Sequence, residues 1–127
     1  MRGENMAKKI LIADDEQNIV ISLEFLMKRE GFEVAVAGDG EAALRLVAEQ
    51  RPDLVLLDVM LPKKSGYEVC QAIRGNAAWQ ATKIILLTAK GRETEMAKGM
   101  ALGAVTYMTK PFSTKDLLTR VKQLLGT

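Results

Sequence analysis

Short apolar runs alternate along the chain with longer stretches in which apolar residues recur at helical spacing. Residues 10–13, 54–57 and 84–87 are unbroken runs of four apolar residues, a pattern typical of strands covered on both faces. Residues 17–30 instead repeat apolar side chains every three to four positions, as a helix with one buried face does. The pattern predicts strands over 9–14, 33–37, 54–57, 83–88 and 104–108, and helices over 17–30, 40–49, 66–75, 93–102 and 114–125.

Strict alternation of strand and helix with short connections predicts a single domain of the α/β class. Right-handed crossovers between such units give a doubly wound parallel sheet with helices on both faces. At 127 residues the chain is long enough to bury a real core. We assign residues 8–127 to this domain and residues 1–7 to a disordered N-terminal lead, because the lead has no apolar stretch that would make it a signal peptide.

Composition narrows the class of protein further. A net charge of +2 without any block of like charge gives no argument for binding nucleic acid or a membrane, and no apolar stretch is long enough to span a bilayer. The single cysteine, Cys70, excludes an internal disulfide and fits a reducing cytoplasm, where we expect the protein to reside. The chain has no histidine, which excludes Ser-His-Asp catalysis and every His-ligated metal site. Any nucleophile or base supplied by this chain is therefore expected to be a carboxylate.

Polar residues stand where the apolar runs end. Asp14 and Asp15 follow the first predicted strand, Asp58 the third and Thr88 the fourth, and Lys110 comes just after the fifth. The carboxyl ends of parallel strands share one edge of the sheet, and ligands bind there. Three carboxylates at this edge repel one another unless a cation lies between them. Hard oxygen ligands suit Mg²⁺, with Mn²⁺ as a second candidate.

Each of these residues also has a simpler explanation when taken alone. An acid between a strand and a helix is a common helix cap, Thr88 suits a strand, and Lys110 suits a solvated loop. Taken together they form a site for a phosphoryl group, in which Asp58 is the candidate nucleophile because it stands apart beside the metal-binding pair. Lys110 can pair with a carboxylate or with a phosphoryl oxygen. Pro111 restricts the turn that aims it, and a cis bond would fit that turn.

Four stretches in this order resemble the receiver domain of two-component response regulators. They are Ile-Leu-Ile-Ala-Asp-Asp-Glu at 10–16, Leu-Leu-Asp-Val-Met-Leu-Pro at 56–62, Leu-Leu-Thr-Ala at 86–89 and Tyr-Met-Thr-Lys-Pro-Phe at 107–112. The resemblance covers about 8–125 and implies a flavodoxin-like, five-stranded sheet of order 2-1-3-4-5 flanked by five helices. It also implies that Asp58 accepts a phosphoryl group, in a Mg²⁺-dependent reaction, from a phosphohistidine on a partner histidine kinase or phosphotransfer protein. The missing histidine then belongs to the partner.

The resemblance further assigns roles to single residues. The implied Mg²⁺ ligands are Asp15 and Asp58 directly, the backbone carbonyl of Met60, and Asp14 through a water. Thr88 and Lys110 would contact phosphoryl oxygens, and Tyr107 would be the aromatic residue whose rotamer follows Thr88. The surface of the fourth helix, fifth strand and fifth helix would then bind a downstream protein.

Met60 and Lys90 stand two residues after Asp58 and Thr88, where they would border the approach of water to the phosphorus. An apolar side chain cannot orient an attacking water, and a cation cannot act as its base. We therefore expect a long-lived aspartyl phosphate.

Residues 110–113 resemble the DNA-binding branch that carries a winged-helix output domain, whose receivers dimerise through cross-subunit ion pairs. Here Val105 and Thr106 replace the acidic pair, and Met96 replaces a basic partner, although Asp116 and Arg120 remain. We therefore expect a monomer or a weak dimer. We also expect a stand-alone receiver, the alternative being a receiver excised from a larger transcriptional regulator.

Two other classes compete with this interpretation. An aspartyl-phosphate phosphatase also uses Mg²⁺, an aspartate and a lysine, but it usually carries a second acid two residues after the nucleophile, where this chain has Met60. A flavodoxin-like cofactor binder needs a glycine-rich phosphate loop after the first strand, where residues 14–16 are all acidic and would repel a phosphate. We expect no enzyme activity beyond self-phosphorylation and slow self-dephosphorylation.

Overall fold

The computed structural model of the protein describes residues 7–89 and 93–126, apart from the side chains of 93–96. Residues 1–6 of the predicted lead therefore lie outside the described part. The strands are β1 (Lys9–Ala13), β2 (Glu33–Ala37), β3 (Leu54–Asp58), β4 (Lys83–Ala89) and β5 (Thr106–Lys110). The helices are α1 (Gln17–Arg29), α2 (Gly40–Gln50), α3 (Gly66–Arg74), α4 (Glu93–Ala101) and α5 (Thr114–Leu125).

The five strands form one parallel sheet in the order β2-β1-β3-β4-β5. This confirms the predicted α/β fold and its strand order. The register places Asp58 beside Leu87, and Lys110 beside Ala89. The carboxyl ends of the central strands and of β5 therefore meet at one edge.

Two buried clusters cover the two faces of the sheet. One contains Leu11, Val55 and Leu86 from the strands and packs against α2 and α3. The other contains Ile12 and Leu56, and packs against α1 and α5. Because successive strand residues point to opposite faces, both sets must be apolar, which explains the unbroken runs in the sequence.

The strand ends differ from the predicted bounds. β3 includes Asp58, β4 continues to Ala89, and β5 runs from Thr106 to Lys110, two residues later than predicted. The ladder continues through these polar positions because backbone pairing between β4 and β5 does not depend on apolar side chains. Lys110 is thus the last residue of a strand and not a loop residue. A short 3-10 turn that the pattern did not predict lies at Ala77–Trp79.

No helix in the described part of the chain is both long enough and apolar enough to cross a membrane.

Candidate functional site

An acidic cluster lies at the carboxyl edge of the sheet. Asp14, directly after β1, is 1% exposed, and Asp58, at the end of β3, is 5% exposed. Carboxylate oxygens of Asp14, Glu16 and Asp58 all lie within 4.8 Å of one another. Asp15 is exposed and stands outside this group. The structure therefore brings together two of the three predicted acids and adds Glu16.

The Lys110 ammonium lies among these acids. Its Nζ is 2.7 Å from Glu16 Oε1 and 2.9 Å from Asp14 Oδ2, and it donates a hydrogen bond to each. The distance from Nζ to Asp58 Oδ1 is 3.6 Å, which is an ion pair but not a hydrogen bond. The Lys110 side chain is only 15% exposed, so its contacts with the buried Asp14 and Asp58 are partly shielded from water, whereas its contact with Glu16 is exposed.

Backbone groups fix the two buried carboxylates. The Glu16 N–H donates to Asp14 Oδ1 at 2.9 Å, and the Met60 N–H donates to Asp58 Oδ1 at 3.2 Å. Each aspartate thus accepts a hydrogen bond from a backbone amide two residues further on, which holds the side chain at the strand end.

The start of α3 packs directly against the backbone of Asp58. A Cβ atom placed on Gly66 would lie 2.5 Å from the Asp58 carbonyl oxygen and 2.8 Å from Val59 Cα, so only glycine fits. The Gly66 N–H donates to the Val59 carbonyl at 2.9 Å. Ser65 and Glu68 form a capping box that fixes the first turn of this helix. The loop after the candidate nucleophile is therefore closely tied to α3.

Among the described residues, the site holds more negative than positive charge, because the carboxylates of Asp14, Glu16 and Asp58 surround the single ammonium of Lys110. Burial raises the pKa of Asp58, and the charges of Asp14 and Asp15 raise it further, against the opposing effects of the Met60 N–H and Lys110. Burial alone would lower the pKa of Lys110, but the hydrogen bonds to Glu16 and Asp14 and the charge of Asp58 prevail and raise it. Lys110 therefore stays charged at neutral pH. A divalent cation would relieve the remaining repulsion among the acids.

The donor set fits Mg²⁺, because it consists only of carboxylate oxygens, which are hard ligands. Among the described residues, Asp14, Glu16 and Asp58 form the group of carboxylates that could hold the ion. The assignment of Asp15 and of the Met60 carbonyl as ligands stays a prediction.

Thr88 is 2% exposed, and its hydroxyl finds no hydrogen-bond partner among the described residues. It lies one residue beyond Leu87, the register partner of Asp58. A buried hydroxyl without a partner is costly in free energy, and such a group commonly has a functional reason. Tyr107, on the neighbouring strand, is 38% exposed.

Of the remaining predicted positions, the structure describes Pro111 and Met60 but not Lys90. The Lys110-Pro111 bond is cis, as the expected turn allowed. Met60 is 58% exposed. Lys90 lies outside the described residues, so the control of water access by Met60 and Lys90 stays a prediction.

Two site residues had no predicted role. Glu16 occupies the N-cap position of α1, where serine, threonine, asparagine and aspartate are the preferred residues. Gly66 occupies the first position of α3, directly after a serine cap. For Glu16, the unusual residue type at a helix cap was the available signal.

The receiver class of signalling domain is defined by a doubly wound sheet with a buried aspartate, a second acid and a lysine at its carboxyl edge. A threonine hydroxyl that has no hydrogen-bond partner among the described residues completes this edge. Residues 10–122 match the family described as the response regulator receiver domain, and the chain belongs to this family. It is thus a receiver domain of the two-component response-regulator type, a family whose general function is to accept a phosphoryl group.

Individual relatives agree with this. The chain is 47% identical over 120 residues to the alkaline phosphatase synthesis transcriptional regulatory protein PhoP of Bacillus subtilis (strain 168), a match that covers 94% of this chain and 49% of PhoP. The chain therefore spans about half the length of this curated relative. A putative response regulator from Chloroflexus aurantiacus J-10-fl superposes with a TM-score of 0.90 at 34% identity, covering 96% of this chain and 100% of that one. The BeF3-activated DrrB receiver domain superposes with a TM-score of 0.85 at 37% identity, with coverage of 96% and 100%.

Proposed function

We propose that Asp58 of this chain accepts the phosphoryl group and that the chain acts as a phosphorylation-controlled binding module. The observation that carries this proposal is the placement of a buried Asp58 carboxylate 3.6 Å from the Lys110 ammonium, within an acidic cluster that fits Mg²⁺. Family membership supports the general activity, and the geometry supports the choice of residue.

In the proposed reaction, a carboxylate oxygen of Asp58 attacks the phosphorus of a phosphohistidine on a partner protein. A P–O bond forms while the P–N bond breaks, and the imidazole nitrogen keeps the electron pair. Lys110 Nζ and the Thr88 hydroxyl would donate hydrogen bonds to phosphoryl oxygens. This is supported by the nearby ammonium and by the Thr88 hydroxyl, which is unpaired within the part of the chain that the structure describes. Bound Mg²⁺ would neutralise charge on the acids and on the phosphoryl oxygens.

The Asp58→Asn variant tests this assignment. Asn has nearly the same shape but a poorly nucleophilic amide, so we expect no phosphate incorporation from a small phosphodonor with Mg²⁺, by intact-mass measurement. Asp116→Asn, an exposed aspartate on α5, is the matched control and should behave as wild type. Phosphate on the Asp58→Asn chain would refute the assignment. Continuous turnover of a phosphomonoester by wild type would instead favour the phosphatase class.

The surface beside the site offers a docking place for the phosphodonor protein. A groove of about 480 Å³ begins at Asp14 and Asp15 and continues along α1 and the end of β2. Ile21 is 64% exposed and lines this groove, and Phe25, one turn further along α1, is 66% exposed. Because a donor histidine must reach Asp58, we propose that the partner kinase or phosphotransfer protein covers these apolar side chains.

We propose that the signal leaves through the surface formed by α4, β5 and α5. Met100 is 40% exposed, and Val105 and Tyr107 are each 38% exposed on this side of the molecule. If Thr88 moves to a phosphoryl oxygen, the space that it leaves lets Tyr107 turn inward and changes this surface. The partner is proposed to be a protein.

PhoP is named a transcriptional regulatory protein, and this chain spans about half its length. Whether the natural protein is a stand-alone receiver, as the sequence led us to expect, or continues into an output domain is decided by the length of its gene product.

A further inference from the structure

Glu16 stands at a helix start without capping the helix. It is the N-cap residue of α1, with φ −87° and ψ 106°, but its side chain makes no cap hydrogen bond. The N-cap residues of α2, α3 and α5 behave differently, because the side chains of Asp39, Ser65 and Ser113 each accept a backbone N–H of the first turn. The residue type and the side-chain direction of Glu16 therefore need another explanation.

The Glu16 carboxylate reaches across to β5 and accepts a hydrogen bond from Lys110 Nζ at 2.7 Å. Among the contacts of the ammonium with described residues this is the shortest, ahead of Asp14 at 2.9 Å and Asp58 at 3.6 Å. A lysine ammonium has three N–H donors. Glu16 and Asp14 accept hydrogen bonds from two of them. Asp58 Oδ1, at 3.6 Å, lies beyond hydrogen-bond distance of the ammonium.

We infer that Glu16 is a positioning residue that holds the Lys110 ammonium ready for the phosphoryl group while keeping it out of a direct hydrogen bond with Asp58. This inference rests on the proposed function. Without Glu16, the ammonium is free to pair with Asp58 Oδ1. A carboxylate that accepts a charge-assisted hydrogen bond is a weaker nucleophile, and a lysine with only one fixed donor is less well aimed.

A purely stabilising role does not explain the geometry. The Glu16 side chain is 57% exposed, and an exposed ion pair contributes little to the free energy of unfolding. Glutamate is also a weaker N-cap than serine, so the chain forgoes helix stability at this position. The competing role is that of a Mg²⁺ ligand, since a Glu16 oxygen lies within 4.8 Å of oxygens of Asp14 and Asp58.

Two variants separate these roles. Glu16→Ser supplies a better cap but no partner for Lys110, whereas Glu16→Gln keeps an acceptor oxygen and loses the charge. With a small phosphodonor and saturating Mg²⁺, we expect Glu16→Ser to slow phosphorylation about fivefold or more and Glu16→Gln to stay within about twofold of wild type; fivefold corresponds to about 1 kcal/mol. Chemical unfolding should find Glu16→Ser at least as stable as wild type. Glu24→Gln, which removes the charge from another α1 ion pair at 2.9 Å to Lys28, is the matched control and should keep the wild-type rate.

A Mg²⁺ titration followed by NMR provides a readout that does not depend on phosphorylation. A positioning role predicts that the Mg²⁺ affinity of Glu16→Gln and Glu16→Ser stays within about threefold of wild type, because neither variant loses a direct ligand. Parallel losses of Mg²⁺ affinity and rate in both variants would overturn the inference in favour of a metal ligand. Wild-type rates in both would overturn it outright. A wild-type chain that gains no phosphate would overturn the proposed function itself, which is a distinguishable failure.

Discussion

At the scale of single residues, two buried threonines differ in whether their hydroxyl groups have a hydrogen-bond partner. Thr82 and Thr88 are both buried threonines. The Thr82 hydroxyl donates to the Pro52 carbonyl at 3.1 Å, so its burial costs little. The Thr88 hydroxyl has no partner among the described residues, although it lies at the carboxyl edge. This difference supports the proposed role of Thr88 as a donor to an incoming phosphoryl oxygen.

Thr88→Val tests this interpretation, because valine has the same shape without the hydroxyl. We expect the free energy of unfolding to stay the same or to rise by about 1 kcal/mol, since a buried unpaired polar group disappears. Adding BeF3 and Mg²⁺ to the wild-type protein should change NMR chemical shifts as far as β5 and α5. In Thr88→Val we expect the change at Tyr107 to be lost. Thr82→Val is the control and should lose stability but keep the response. Equal responses in wild type and Thr88→Val would contradict the proposed role.

At the scale of elements, one arginine ties two connecting loops to α3. The Arg74 guanidinium, at the end of α3, donates to the Gly103 carbonyl at 2.9 Å and to the Thr82 carbonyl at 2.5 Å. It also reaches the carbonyls of Trp79 and Gln80 at 3.4 Å. The planar fork of arginine can serve several acceptors at once, and a lysine cannot reproduce it. Arg74 thus fastens the loop before β4 and the loop before β5 to α3.

We expect Arg74→Lys to lower the free energy of unfolding by about 1–3 kcal/mol, because partly buried carbonyls lose their donors. Amide hydrogen exchange should rise at residues 79–82 and 102–105. Arg45→Lys, an exposed arginine of α2, should change neither quantity. Faster exchange throughout the chain, with no local excess, would argue against a local clamp.

The proposed docking face on α1 is also a property of an element. Replacing Ile21 and Phe25 by serine removes exposed apolar area beside the site without touching the acids. We expect phosphotransfer from a phosphohistidine protein to slow about tenfold or more, since interface anchors commonly contribute above 1 kcal/mol each. Phosphorylation by a small phosphodonor should be unchanged. Replacing Met100 and Val105 by serine removes exposed apolar area elsewhere on the surface. This control variant should keep the wild-type rate of phosphotransfer. An equal loss with both donors would place the defect in the site.

At the scale of the whole molecule, α1 and α5 cover the same face of the sheet, far apart in sequence. They are joined by Glu30 and Lys122, whose Oε1 and Nζ atoms lie 2.7 Å apart. The hydrogen bond from Lys122 lowers the pKa of Glu30, and the charges of Lys122 and Arg29 act in the same direction against the effect of burial. A lowered carboxyl pKa means that the folded state binds the proton less readily than the unfolded state does.

The contribution of Glu30 to stability is therefore present above the pKa of the unfolded chain and is lost as pH falls through the folded pKa. We expect Glu30→Gln to be less stable than wild type at neutral pH and the two to converge as pH falls below the folded pKa of Glu30, which is lowered from the ordinary glutamate value. Urea unfolding across this range measures the difference. A difference that stays constant with pH would show that the pair contributes nothing through its charge.

Much of the fold could be predicted because the chain repeats one local rule. Strands covered on both faces must be apolar throughout, so β1, β3 and β4 stand out in the sequence. β5 was placed less well because it is an edge strand with polar residues, and its bounds depend on pairing with β4. The turn at Ala77–Trp79 escaped prediction because a single 3-10 turn has no periodicity to detect.

The sequence by itself determined the α/β architecture and the polar residues that lie near the carboxyl ends of the strands, because both follow from the alternation of apolar and polar positions. Which side chains meet at the carboxyl edge was decided only by the tertiary structure. The role of Asp15 as a Mg²⁺ ligand stays a prediction, whereas the structure groups the carboxylate oxygens of Asp14, Glu16 and Asp58 within 4.8 Å of one another. The pairing of Glu16 with Lys110 joins residues 94 positions apart. No local pattern specifies such a contact, because it arises only when β1 and β5 are brought into one sheet.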